Sequence, residues 1–369
     1  GNGLASHIME MDDVHRGAII HAGASVIPAA LAVAEMQHVT GRQLLVAIVT
    51  GYEVAIRVGE AVTPAHYYFW HTTGTCGTFG AAAAAGKLLG LSGEQLIWTL
   101  GNAGTQAAGL WEFLADGAMS KHLHPGKAAM NGVLAALLAR EGFTGARRIL
   151  EGEKGFCRAT AVKYDLNKIT AGLEGAPPKF KIEENSFKIY SSCRHTHPAI
   201  DVVLSLMGDN KIPVSEVAGV NVYTYSTALQ ITANYNPQSV YAAKFSLPFC
   251  VALALCKGSC RPADFTEEAL QDRQVHKLMK NVKLVLDKDL DARHPVNWPA
   301  VVEITTSSGH IYRGSTDFPK GDPENPASKE ELTAKFRSLA TGPWGEKRVR
   351  ALEEAVWELE KIADVSELF

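Results

Sequence analysis

Residues 7–15 (HIMEMDDVH) form the densest group of ionisable side chains in the sequence, and His21 follows shortly after. Imidazole and carboxylate groups at such short spacing can act as general acids and bases, because the carboxylate orients the ring and shifts its pKa. His7 and Glu10 are three residues apart and would share one face if this segment were helical. The segment predicts proton transfer, with a structural ion pair as the alternative.

Asp12, Asp13 and His15 leave two further interpretations open. Asp12 and His15 are also three residues apart, and either aspartate can cap a helix N-terminus. Histidine and aspartate at short spacing are also ligands that zinc or manganese accepts. The sequence contains no HExxH or comparable ligand pattern, so we expect no bound metal.

A second polar cluster, Trp70–Gly80 (WHTTGTCGTFG), precedes a run of five alanines. Its glycines, spaced three apart, can present backbone N–H groups to an anion, or they can let neighbouring helices approach closely. The segment lacks both GxGxxG and GxxxxGK[ST], so a nucleotide site is poorly supported. His71, at the start of the expected helix, is the residue that we assign to chemistry.

Residues 121–127 (KHLHPGK) are rich in cations and precede an alanine-rich stretch, which predicts a loop followed by a helix. Lys121 and His124 near a helix N-terminus suit the binding of a carboxylate, by charge and by N–H donation. The alternative is a solvated surface loop.

Residues 187–198 (FKIYSSCRHTHP) combine a lysine, an arginine and two histidines. Lys188 and Arg194 fit an anion clamp, because a guanidinium can hold a carboxylate through two parallel hydrogen bonds. The cysteine and histidines of this segment also suggest a zinc site, but their spacing is too close for a usual ligand set.

The composition is that of an ordinary folded protein. Its 36 basic and 39 acidic residues give a net charge of −3 without any block of like charge, so neither nucleic acid nor a membrane surface is an expected partner. The apolar runs are interrupted before the length of a membrane span, and no leader opens the chain. The six cysteines form no CxxC pair, which predicts buried thiols in a reducing cytoplasm.

The order of elements predicts two domains in the 369 residues, an all-helical one and a smaller α+β one. We assign residues 1–178 and 319–369 to the helical domain and 179–318 to the α+β domain. The spacing of apolar residues changes from a helical to an alternating pattern near Pro177 and Pro178.

Local patterns place individual elements in both parts. Pro28 suits the first turn of a helix. Capping boxes are expected at Ser92 with Gln95 and at Ser328 with Glu331. Expected helices include residues 41–58, 130–140, 200–207, 249–255 and 267–279. Expected strands cover 220–225, 282–286, 301–306 and 310–313, the last two joined as a hairpin in a mainly antiparallel sheet.

Taken in order, these clusters resemble the MmgE/PrpD family. The matching residues are Asn2-Gly3, His7, Asp12-Asp13, His21-Ala22-Gly23, 71–84, 121–129, 142–156, Lys188 with 193–198, 244–248 and 319–323. The resemblance covers essentially the whole chain, and the combination is specific although single motifs are not.

The resemblance implies a large helical domain, an α+β lid domain, a cleft between them as the active site, and a homodimer. It implies neither a metal nor an organic cofactor, and family members carry a further segment before the position that corresponds to Gly1. Glu10, His21, His71, Lys121 and Lys188 fall where the family has active-site residues, so Lys121 and Lys188 are expected to converge on one polycarboxylate.

Four residues depart from the family pattern. Glu10 stands where Asp is usual, Val14 where Thr or Ser is common, Ala22 where Pro is usual and Phe249 where many members have Tyr. These positions are expected to line the substrate pocket, which leaves the substrate open.

The resulting hypothesis is a metal-independent lyase that acts on a small di- or tricarboxylate, similar to 2-methylcitrate dehydratase. The residues assigned to acid–base catalysis are His71, His21, Glu10 and Lys121. The residues assigned to substrate binding are Lys188, Arg194, His124, Asp13 and His7. An epimerase of the iminodisuccinate type, a cis-aconitate-type decarboxylase and a non-enzymatic binding protein are the alternatives.

Overall fold

The computed structural model describes residues 1–115, 117–174 and 179–368. Pro177 and Pro178, where the sequence suggested a domain boundary, lie outside the described residues. Within the described ranges, no helix is long and apolar enough to cross a membrane. All six cysteines are free thiols, five of them buried, as expected from their scattered spacing.

The chain is predominantly helical and has a small mixed sheet, as predicted. The α-helices in the described ranges are α1 (Asn2–Ile8), α2 (Ala22–Gln37), α3 (Gly41–Val62), α4 (Thr72–Leu88), α5 (Gly93–Gly104), α6 (Ser120–Arg140), α7 (Phe156–Thr160), α8 (Asn167–Thr170), α9 (His197–Asn210), α10 (Ser226–Thr232), α11 (Val240–Ala243), α12 (Leu247–Lys257), α13 (Glu267–Gln271), α14 (Arg273–Lys280), α15 (Lys288–Arg293), α16 (Lys329–Trp344) and α17 (Glu346–Trp357). The β-strands are β1 (Val14–His15), β2 (Asn185–Ser186), β3 (Val217–Thr224), β4 (Val282–Leu286), β5 (Ala300–Thr306) and β6 (Ile311–Thr316).

The chain divides into two compact units. The first unit comprises Gly1–Ile8, Asp12–Asn185 and Ser328–Phe369, and the second comprises Met9–Met11 and Ser186–Ala327. The C-terminal residues pack on helices of the first unit, where the Gly41 N–H donates to the Ile362 carbonyl at 2.9 Å.

Helix α4 lies at the centre of the first unit and packs against α2, α3 and α6. Its glycines allow this close packing: a Cβ at Gly80 would meet the Ala55 Cβ and the Gly51 carbonyl at 2.6 Å, and a Cβ at Gly77 would meet Ser25 Oγ at 2.4 Å. Both glycines lie inside the helix, so their N–H groups are not presented to an anion. The helix-packing interpretation is therefore correct for Gly77 and Gly80.

Pro28 and Pro125 lie inside helices, contrary to the sequence-based expectation. Pro28 is in the interior of α2, which begins at Ala22 rather than at Pro28. A proline there cannot donate to the carbonyl four residues earlier, and the Ser6 hydroxyl instead donates to that Ala24 carbonyl at 3.3 Å. Pro125 likewise lies inside α6, so residues 121–127 are helical and the predicted loop is wrong.

The second unit is built on a four-stranded sheet with the order β4-β3-β5-β6. β3 pairs antiparallel with β5, β5 antiparallel with β6, and β3 parallel with β4, so the sheet is mainly antiparallel as predicted. Helix α9 packs on β5 and β6, and α12 packs on α9 and β4. The single helix expected over 267–279 is broken, because the Asp272 carboxylate accepts from the N–H groups of Gln274 and Val275 and starts a new helix.

A buried histidine of the first unit is expected to lower the stability of the protein at acidic pH. His66 Nε2 bonds Thr75 Oγ1 at 2.8 Å, and burial lowers its pKa from 6.5 to about 4. As the pH falls, this histidine takes up a proton in the unfolded chain before it does so in the folded protein. The stabilisation that is present above pH 6.5 is therefore lost towards pH 4. The contribution is about 3 kcal/mol. In urea unfolding between pH 7 and 4.5, the free energy of unfolding of His66→Gln should fall less with decreasing pH than that of the wild type. The exposed His310→Gln should match the wild type. The same pH dependence in all three proteins would contradict this prediction.

Candidate active site

Five imidazole rings lie together in the first unit, and we call them the imidazole cluster (His7, His21, His71, His122 and His124). Ring centroids are 5.0 Å apart for His7–His21, 5.7 Å for His7–His71, 6.1 Å for His7–His122 and 5.2 Å for His71–His124. The structure thus brings together four residues that the sequence assigned to the site and adds His122.

The cluster is positioned largely by helix N-termini. His21 directly precedes α2, His71 is the N-cap residue of α4, and His122 and His124 lie in the first two turns of α6. The N-terminal end of a helix carries unsatisfied N–H groups and a partial positive charge. Three such ends beside the same group of imidazoles favour the binding of an anion.

Asp12 links two rings of the cluster. His7 Nδ1 is 2.6 Å and His21 Nδ1 is 3.3 Å from Asp12 Oδ2. The helix α1 ends at Ile8 and the chain then turns, so His7 and Glu10 do not share one helix face. Asp12 was not among the residues assigned to the site from the sequence. Its position next to Asp13, in the segment that also contains His7, could have indicated it.

Asp13 holds His21 through its backbone rather than through its side chain. His21 Nδ1 donates to the Asp13 carbonyl at 2.8 Å, so a neutral ring carries its lone pair on Nε2. The Asp13 carboxylate instead accepts from the Tyr52 hydroxyl at 2.8 Å and from the Asn185 amide. Burial and the neighbouring Asp12 raise the pKa of Asp13, and burial raises that of Tyr52. This geometry lets Asp13 position His21, and its contact with a substrate stays a prediction.

His71 and His124 share a hydrogen bond between their Nδ1 atoms at 3.0 Å, so one ring donates and the other accepts. Burial lowers the pKa of His71 well below 6.5, with further contributions from His124, His7 and Lys121. Burial likewise lowers the pKa of His124 to about 4. Both rings are therefore neutral in the free protein at pH 7.

Lys121 provides a buried positive charge next to the imidazole cluster. It lies in the first turn of α6 with 2 % of its surface exposed, and its charge lowers the pKa of both His71 and His124. Lys127, on the same helix, is exposed. The surface-loop interpretation of this segment is therefore wrong at Lys121.

In the second unit, Lys188 Nζ donates to Glu10 Oε2 at 2.9 Å, and both side chains are fully buried. Glu10 has a positive φ of 55°, an uncommon conformation for a non-glycine residue that is often found at functional sites. The pair joins residues 178 positions apart in the chain.

Removing one partner of this buried ion pair should destabilise the protein. Lys188→Met takes the ammonium away from the buried Glu10 carboxylate, and the expected cost is about 3–5 kcal/mol in the free energy of unfolding. The double variant Lys188→Met with Glu10→Gln should recover much of that loss in the free energy of unfolding. Urea denaturation of both variants, with the exposed Lys283→Met as control, tests this. A single variant no less stable than the control would contradict it.

Arg194 is held by protein groups. Its guanidinium donates to Asp322 Oδ1 at 2.5 Å and to the Lys320 carbonyl at 3.1 Å, and it lies 2.9 Å from His197 Nδ1. These contacts fix the turn at 319–322, so the arrangement supports a structural role for Arg194. His195 Nδ1 is 2.7 Å from the Tyr225 hydroxyl, and the three-residue groups with metal-ligand spacing among the described residues include no member of 187–198.

His15 is paired outside the imidazole cluster. Its Nε2 is 3.5 Å from Glu184 and 3.9 Å from Glu60. Lys181 Nζ lies 3.1 Å from Glu60 and 3.2 Å from Glu184. Bonding to His15 is the main cause that lowers the pKa of Glu184 to about 2.

Comparison with family models decides the classification. Residues 1–168 match the MmgE/PrpD N-terminal domain, and residues 190–361 match the MmgE/PrpD C-terminal domain. The chain belongs to the MmgE/PrpD family.

Curated relatives of this MmgE/PrpD chain include cis-aconitate decarboxylase of Aspergillus terreus, which is 28% identical over 97% of this chain and 77% of its own length. The cis-aconitate decarboxylase-like protein oryM of Aspergillus oryzae is 29% identical over 100% of this chain and 80% of its own length. The human cis-aconitate decarboxylase is 27% identical over 100% of this chain and 77% of its own length. The prediction that the chain is an enzyme is confirmed.

Three positions at which this MmgE/PrpD chain departs from the family pattern are buried in packed structure. Phe249 is buried in the core of the second unit, within α12. Ala22 is fully buried at the start of α2, next to His21. Val14 is also buried, in β1.

Proposed function

We propose that the protein is a lyase that removes CO2 from an unsaturated tricarboxylate of the cis-aconitate kind. The proposal is supported above all by likeness to cis-aconitate decarboxylases over almost the whole chain, combined with the imidazole cluster beside a buried lysine. The dehydration that the sequence first suggested uses the same kinds of groups, but these relatives favour decarboxylation.

The reaction needs an acid and a cation. When the carboxylate on the methylene carbon leaves as CO2, its bonding electrons pass into an allylic carbanion that the double bond delocalises. One proton then adds at the far carbon, next to another carboxylate, and gives methylidenesuccinate. One substrate and one proton thus become one product and one CO2. A preplaced positive charge stabilises the carbanion most, since that is where negative charge develops.

Anion binding is the part that Lys121 and His21 perform. The Lys121 ammonium and the N-termini of α2, α4 and α6 supply positive potential. Asp12, 3.3 Å from His21 Nδ1, is the partner that an imidazolium needs when it contacts a substrate carboxylate through Nε2.

Proton delivery is the part that His71 performs. The ring is neutral in the free protein, and it takes up a proton together with the anionic substrate, whose charge offsets the cost of a buried imidazolium. His124 is half-buried and bonded to His71 at 3.0 Å, so it can relay a proton from solvent.

Proton NMR in D2O tests the proposal. The protein is incubated in turn with cis-aconitate, 2-methylcitrate, citrate and iminodisuccinate, and released CO2 is measured in parallel. We expect CO2 and methylidene signals in equal amounts from cis-aconitate, with one deuterium per product. Loss of water from 2-methylcitrate without CO2 release would instead identify a hydro-lyase, and turnover of none of the four would contradict the proposal.

The proposed reaction requires no metal, because every charge that it develops can be met by Lys121 and the imidazoles. Prolonged treatment with a chelator, followed by gel filtration, should leave kcat unchanged. The metal content of the treated protein is measured in the same sample. A loss of activity that returns on adding one divalent metal would contradict this prediction.

A further inference from the structure

His7, Asp12 and His21 offer three ligand atoms that lie within 4.8 Å of one another. Two imidazoles and one carboxylate are a ligand set that zinc and other borderline divalent cations accept, with open positions left for water or an anion. His7 is fully buried and Asp12 nearly so, so a cation held there would be largely shielded from solvent.

We propose that His7, Asp12 and His21 form a zinc-binding site at which the metal acts as an inhibitor. The metal would bind Nδ1 of His7 and Nδ1 of His21, and the proton that each neutral ring now carries there would move to its Nε2. The binding itself is independent of the reaction proposed above, whereas the inhibition rests on it, because His21 is then withdrawn from substrate.

The spacing of the donors supports this site. With zinc–ligand bonds of about 2.0–2.1 Å, the ligands of a tetrahedral zinc lie about 3.4 Å apart. His21 Nδ1 and Asp12 Oδ2 are already 3.3 Å apart, and His7 Nδ1 and Asp12 Oδ2 are 2.6 Å apart. The second pair must therefore open by less than about one ångström.

The ring proton of His7 can be assigned to one nitrogen from its surroundings. His7 Nε2 is buried and has no hydrogen-bond partner among the described residues, whereas Nδ1 is 2.6 Å from Asp12. The neutral ring thus carries its proton on Nδ1, where it faces the carboxylate. Zinc at Nδ1 requires this proton to move to Nε2, and it places a double positive charge next to Asp12 where the ring N–H now lies.

Two features keep the metal from being a permanent part of the site. His21 must give up the bond from Nδ1 to the Asp13 carbonyl, which is 2.8 Å long. Lys121 is close enough to act on His71 and His124, so it also repels a cation in the imidazole cluster. These costs make zinc a reversible ligand, in contrast to a closed structural site.

The group His15, Glu60 and Glu184 has similar spacing and provides an internal control. The Lys181 ammonium already lies 3.1 Å from Glu60 and 3.2 Å from Glu184. A positive charge thus satisfies these carboxylates, and we expect no zinc there.

Calorimetric titration of the metal-stripped protein with zinc chloride at pH 7.5, without substrate, tests the site. We expect one zinc per chain, with affinity lowered more than about tenfold in His7→Gln and in Asp12→Asn, since even outer-shell partners of a metal contribute that much. Glu184→Gln and the exposed His310→Gln should bind like wild type. Circular dichroism identifies any variant that fails to fold. If either His7→Gln or Asp12→Asn does not fold, the other still tests the site.

Absence of stoichiometric binding would overturn the inference, as would unchanged binding in folded His7→Gln or loss of binding in Glu184→Gln. Because these titrations contain no substrate, their outcome does not depend on the proposed reaction. If zinc binds as expected and the protein decarboxylates none of the candidate substrates, the proposed function fails and the zinc site stands.

Discussion

His71→Ala should lower kcat by about 10²- to 10⁴-fold, the usual contribution of a positioned proton-transfer group. The effect should fall on kcat and leave KM within a few-fold, because such a group stabilises the transition state more than the bound substrate. Burial keeps this ring neutral in the free protein, and the 3.0 Å bond to His124 orients it. Steady-state kinetics with the substrate identified by NMR measure both constants.

The control for His71→Ala is His310→Ala, a change of the same kind at an exposed position. It should leave kcat at the wild-type value. A His71→Ala variant that folds normally and retains more than about a tenth of wild-type kcat would exclude the residue from proton transfer, since the smallest expected effect is about 100-fold. A rise in KM with unchanged kcat would place His71 in substrate binding instead.

Lys121→Met should lower kcat/KM by about 30- to 1,000-fold, which corresponds to roughly 2–4 kcal/mol for a buried charged contact. The methionine keeps the length of the side chain in the first turn of α6 and removes only the ammonium. Both kcat and KM should change, because the cation holds a carboxylate in the substrate and stabilises the charge that develops as CO2 leaves.

Lys127→Met is a matched control, because Lys127 lies on the same helix but is exposed, whereas Lys121 is 2 % exposed. The control should have wild-type kinetics and the thermal stability of the wild type. If Lys121→Met behaves like Lys127→Met, the positive charge next to the imidazole cluster has no part in catalysis. If Lys121→Met only loses stability and keeps kcat/KM, its role is structural.

The sequence by itself determined the class of the fold and many of its local elements. The capping boxes at Ser92 with Gln95 and at Ser328 with Glu331 form as predicted, because the bonds that define them join residues three apart. The hairpin of β5 and β6 also follows from local turn chemistry, with Gly309 at a φ of +84°. The types of residue in the site were likewise readable, since acid–base chemistry on an anion needs imidazoles and cations.

Only the tertiary structure decided which of these residues are partners. Glu10 pairs with Lys188, 178 positions away in the chain. Arg194, a plausible substrate clamp by its type, is held by Asp322 and backbone carbonyls. Pro28 lies inside a helix, and the Ser6 hydroxyl, 22 positions away, lies 3.3 Å from the Ala24 carbonyl that the proline cannot bond. Protonation states were also beyond the sequence: His71 is neutral because it is buried, and burial is a property of packing rather than of spacing along the chain.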